Sequence, residues 1–80
     1  MDKETLILLD EMLERAATSI TAGRIAKESI RLKNPTRERI QLAGETLVER
    51  AADLYPELDA YVSSSTEGTI TLVLRARNRQ

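Results

Sequence analysis

At 80 residues, with 41% apolar and 31% charged side chains, the chain suits one globular domain with a thin core rather than a disordered or fibrous segment. The formal net charge is −1, and there is no cysteine and no histidine, which excludes disulfides, thiolate metal sites and cysteine nucleophiles and removes the commonest general base. Phe and Trp are also absent, so the core is aliphatic, and any chemistry is left to carboxylates, Lys, Arg, Ser, Thr and Tyr.

In chain order, Asp2 suits the N-cap of a first helix, because its carboxylate can accept the free N–H groups of the opening turn. Leu6, Leu9, Leu13, Ala16, Ala17 and Ile20 then share one helical face, which predicts an amphipathic helix over about Lys3 to Thr18. Ile7 and Leu8 fall off that stripe, and their exposure would suit a second copy of the chain. The uncharged run Thr5 to Leu9 is far shorter than the roughly 20 apolar residues of a membrane span. With no signal peptide expected either, the reading is a cytoplasmic protein without membrane contact.

Gly23 predicts a turn. After it, Ala22, Ile25, Ala26, Ser29, Ile30 and Leu32 gather on one helical face while Arg24, Lys27 and Arg31 gather on the other, and two-residue alternation is poor because Glu28 sits in the apolar row. The expectation is a short second helix, ended by Asn34-Pro35. Its sequence has the general look of a helix-turn-helix, but Ile30 stands where the tight turn needs a small residue, and Pro35 would fall inside the recognition helix.

A third helix, capped by Asn34 or Thr36, follows from Ile40, Ala43, Leu47, Ala51 and Leu54 and stops at Tyr55-Pro56. Gly44 near that stripe predicts close approach of another backbone. The tail switches to period two over Tyr61–Ser65 and Thr69–Ala76, with Thr66-Glu67-Gly68 between, which predicts a β-hairpin. Val73 faces away from the other large residues of its strand, as edge pairing with a second copy would explain. Residues 1–80 are thus expected to form a single α+β domain: two or three amphipathic helices followed by a C-terminal β-hairpin packed on them.

Charge alternates in blocks: acidic over 1–14, basic over 15–39, acidic over 40–67 and basic at the C-terminus. Two sets are candidates for partner binding. The basic set is Arg24, Lys27, Arg31, Lys33, Arg37 and Arg39; the acidic set is Leu42, Glu45, Glu49 and Asp53 on the outer face of the third helix. No phosphate-cradling glycine loop, nucleophile elbow or calcium-loop pattern is present, and Ser63-Ser64-Ser65 beside a turn has no base near it in sequence. Catalytic residues, metal ligands and cofactors are therefore not expected. The reading is a small non-catalytic interaction module of adaptor, inhibitor or regulator type that binds another protein through charged helix faces, as a homodimer. The alternative is a nucleic-acid-binding regulator using residues 24–39 with Arg75, Arg77 and Arg79, although stacking aromatics are scarce.

Overall fold

The computed structural model describes residues 2–20 and 25–76. Over these the order is α1 (Lys3–Ile20), β1 (Ile25–Arg31), α2 (Arg37–Leu54), β2 (Leu58–Ser64) and β3 (Thr69–Ala76). The strands form one antiparallel sheet in the order β1-β3-β2. Both helices cover the same face of it, α1 across β1 and β3 and α2 along β2.

The α+β class, the two long helices and the C-terminal hairpin agree with the sequence. The α1 stripe is buried from Leu9 to Ile20, with Leu9, Leu13 and Ala16 at most 1% exposed and Met12 beside them, while Leu6 at its start is only partly buried. Asp2 begins the helix through its backbone carbonyl, which accepts from Leu6 N–H, while its carboxylate accepts from the Thr5 hydroxyl and so satisfies a buried polar side chain. Thr36, the second of the two expected caps, starts α2 by accepting from Arg39 N–H at 3.1 Å. The last turn closes where Tyr55 N–H reaches the Ala51 carbonyl, one residue before Pro56.

Residues 25–31 do not form the expected second helix. They pair with β3 from Ile25 opposite Arg75 to Arg31 opposite Thr69. Ala26, Ile30 and Leu32 point at the helices, and Glu28 shares that row; it broke the alternation in the sequence. The reason is its place on an edge strand, where a side chain on the helix side can leave the core sideways: Glu28 meets Arg15 of α1 at 3.1 Å. Gly23 and its expected turn lie outside the described residues.

Gly44 is also not where a backbone comes close. A Cβ built there would sit 3.6 Å from Val62 Cγ1, an ordinary contact with a side chain of β2. Gly68 is the glycine the fold requires. Its φ is +98°, and a Cβ would fall 2.6 Å from Pro35 Cβ, where the chain leaving β1 crosses the hairpin turn. Leu32 N–H donates to the Gly68 carbonyl at 2.9 Å and ties those segments together.

Two substitutions check this account by denaturant unfolding. Gly68→Ala should destabilise the chain by about 2 kcal/mol or more, through strain at positive φ together with the collision with Pro35. Gly44→Ala should instead stabilise it by up to about 1 kcal/mol, because helix propensity rises and the space is there.

Candidate functional site

Polar and charged side chains are sorted by the alternation of the sheet. Hydrogen bonds on the two sides of the start of β3, from Leu32 to Gly68 and from Ser65 to Thr69, set the phase of both ladders. Ile70, Leu72 and Leu74 are fully buried beneath the helices, whereas Thr69, Thr71, Val73 and Arg75 face the uncovered side. Three cross-strand rows on that side follow from the register: Ile25-Arg75-Asp59, Lys27-Val73-Tyr61 and Ser29-Thr71-Ser63. Ile25 and Tyr61 are 62% and 54% exposed. Ser29 and Thr71 share a hydrogen bond of 3.0 Å between their hydroxyls.

The expected basic set is therefore divided. Lys27 and Arg31, four residues apart on a strand, share the open sheet face with Arg75. Lys33 follows β1 and borders a shallow hollow beside Ile7 and Leu8 of α1. Arg37 and Arg39 belong to the first turn of α2, in the other layer, and Arg39 approaches Asp2 at 3.6 Å. Arg24, Arg77 and Arg79 lie outside the described residues. The helical spacing that grouped Arg24, Lys27 and Arg31 does not apply to a strand, so no single basic helix face exists among the described residues.

The acidic set holds together in space. Leu42, Glu45, Glu49 and Asp53 are all exposed along the outside of α2, with Leu42 at 43%. Glu45 accepts from Gln41 one turn earlier at 3.2 Å. Other acids are used inside the fold: Arg50 of α2 grips Asp10 of α1 with two nitrogens, one at 2.8 Å, and Glu28 holds Arg15. The Thr5 hydroxyl, assisted by the Arg39 charge, holds the Asp2 carboxyl below the ordinary carboxylate range despite some desolvation.

Sequence reasoning did not anticipate a groove between α2 and the outer edge of β2. Ile40, Gly44 and Val48 form its helix wall and Val62 its floor, with Glu45 and Glu49 on the rim. Toward the start of α2 it continues past Gln41 to Arg37, beside Ser64–Thr66 of the hairpin turn. Val48 carried the only signal in the sequence, as an aliphatic residue off the α2 stripe; it is 43% exposed.

No protein family, curated protein or solved structure matches the chain. Among the described residues no helix is long and apolar enough to cross a membrane, and no three acidic side chains cluster as a metal site would require.

The lowered Asp2 pKa has a fixed sign. Its contribution to stability is present above the ordinary carboxylate pKa and is lost as pH falls through the lowered value. Thermal melts between about pH 5 and about pH 2 should therefore show a smaller acid-side loss in Asp2→Asn than in the parent chain.

Proposed function

We propose that the chain is a non-catalytic protein–protein interaction module, of adaptor, inhibitor or regulator type, that holds its partner through the acidic outer face of α2. One observation carries this reading. Asp2, Asp10 and Glu28 face arginines of neighbouring segments and Asp53 lies near enough to Arg50 to favour its charge, whereas Glu45 and Glu49 form no ion pair among the described residues and follow the exposed Leu42 along the same face. Like charges one turn apart disfavour a helix by about 0.2–0.5 kcal/mol per pair, so the strip is a small cost that a basic partner surface would reverse. The cytoplasmic placement read from the sequence belongs to the same proposal.

Self-association rests on Ile7, which lies on the outside of α1 at 49% exposure with Leu8 beside it at 37%. Val73 no longer needs a dimer to explain it, because it packs in a row between Lys27 and Tyr61.

A second reading is favoured by the open sheet face, where Lys27 shares the row of Tyr61, Arg75 lies in the next row beside Asp59, and Arg31 stands further along β1, cations on one face with a single stacking ring. That arrangement suits single-stranded nucleic acid, whose affinity would fall steeply with salt.

Charge reversal separates the readings. Glu45→Lys with Glu49→Lys should leave the chain folded and abolish capture of its partner protein, identified by mass spectrometry of material retained by the parent chain. Retention of the same partner by the reversed chain refutes the acidic-face reading. Lys27→Glu with Arg31→Glu should leave that partner bound; if instead it removes affinity for a labelled single-stranded oligonucleotide, the sheet face is the binding surface. Mass in solution tests the homodimer directly, and a monomer at all concentrations excludes it.

A further inference from the structure

The two free edges of the sheet differ. Backbone groups of the antiparallel ladder point alternately toward and away from the neighbouring strand. Carrying the phase down from the Ser65–Thr69 bond, Ala60, Val62 and Ser64 turn their N–H and C=O groups outward at the β2 edge. By the same count from the Leu32–Gly68 bond, Ile25, Lys27, Ser29 and Arg31 do so on β1. The β1 edge alternates with Lys27 and Arg31, charges that discourage strand pairing. From Ala60 to Ser64 the β2 edge has no charge and no proline, and the apolar groove against α2 runs alongside it.

We infer that this edge and groove form a receptor for an extended, cationic peptide segment of a partner protein, added to the sheet as a fourth strand beside β2. The inference rests on the protein-binding reading above and names the partner's chemistry. Main-chain bonds to Ala60, Val62 and Ser64 hold the peptide, and every second side chain enters the groove over Ile40, Gly44 and Val48. Aliphatic side chains suit those positions. At the Val48 end, Lys or Arg lays its methylene stem on Val48 and its charge beside Glu45 and Glu49. At the other end Arg37 disfavours a further cation.

Charge also decides against a second copy in this place. Antiparallel pairing of β2 with its own image about Val62 would bring the neighbouring α2 helices together at Gly44, setting Glu45 of each copy near Glu45 of the other. A basic strand meets the same rim with opposite sign.

The probe is a fluorescent peptide of about nine residues alternating Val and Thr, with two Arg at its groove-facing end, followed by anisotropy and by backbone amide shifts. Saturable binding that shifts the amides of Ala60, Val62 and Ser64 is expected. It should weaken at least about tenfold in Ser64→Pro, which removes one outward N–H at an edge position where proline is tolerated, and likewise in Val48→Ser. The same peptide with Glu in place of Arg should bind at least about tenfold more weakly. No binding of the Arg probe overturns the inference. So does binding unaffected by both substitutions, or a parent chain whose β2 amides are already occupied in a dimer that Ser64→Pro dissociates. If a captured partner is lost on reversing Glu45 and Glu49 but kept in Ser64→Pro and Val48→Ser, strand addition falls while the acidic-face reading stands.

Discussion

The alternation of β3 is the constraint on which the rest of the molecule depends. It is the central strand, and its inward residues Ile70, Leu72 and Leu74 have no solvent exposure at all. A slip of one residue would exchange them for Thr71, Val73 and Arg75 under the helices, so both neighbours are held to one register. Because β1 and β2 are phased by this strand, the placement of Lys27, Arg31, Tyr61 and the outward backbone groups of β2 follows from it. The fully buried core has no aromatic ring to fill irregular space; Tyr55 only packs against its margin. The core closes instead with small residues, Ala16, Ala43 and Ala51, that let the helices lie near the sheet and near each other.

Elements whose period is unbroken were legible in the sequence. The α1 stripe, the α2 stripe and the alternation of β3 each repeat often enough to identify the element, although the buried part of α2 ends at Ala51 and Leu54, expected to continue it, is 56% exposed in the last turn; the acidic strip could be read because the face of a helix follows from spacing alone. The first strand was not legible, for two physical reasons. A seven-residue segment offers only three or four positions per face, and one of them holds Glu28, whose carboxylate escapes along the sheet edge to Arg15. Reading that segment as helix then misgrouped the basic residues: a strand puts Lys27 and Arg31 on the uncovered face, while Arg37 and Arg39 fall in the helical layer. The groove beside β2 depends on how α2 sits against a strand about fifteen residues further along, which no local period reports.

Gly44 joins these threads. In a helix interior glycine costs about 1 kcal/mol relative to alanine, and the usual reason to accept that cost is a close backbone. Here the nearest atom a Cβ would meet is Val62 Cγ1 at ordinary contact distance, so packing alone does not require the glycine. What its bare backbone does is widen the wall of the groove opposite the uncharged edge of β2. Local helix stability is thus given up at the position where an added strand would lay its side chains.

The near-neutral net charge conceals two local concentrations. Exposed acids run along the outer face of α2, although Arg37 and Arg39 stand at that helix's start, while Lys27, Arg31 and Arg75 lie on the open face of the sheet. Opposite faces of opposite sign attract, but sheet-to-helix stacking joins two different patches, so it builds rings or open filaments rather than a two-fold pair. A discrete homodimer needs a patch that complements itself, and neither a row of acids nor a row of bases does so. Ile7 and Leu8, uncharged and exposed on the outside of α1, can meet their own images across a two-fold axis. Under the reading proposed above, a two-fold pair would therefore use α1, leaving the α2 strip and the β2 edge for a partner protein.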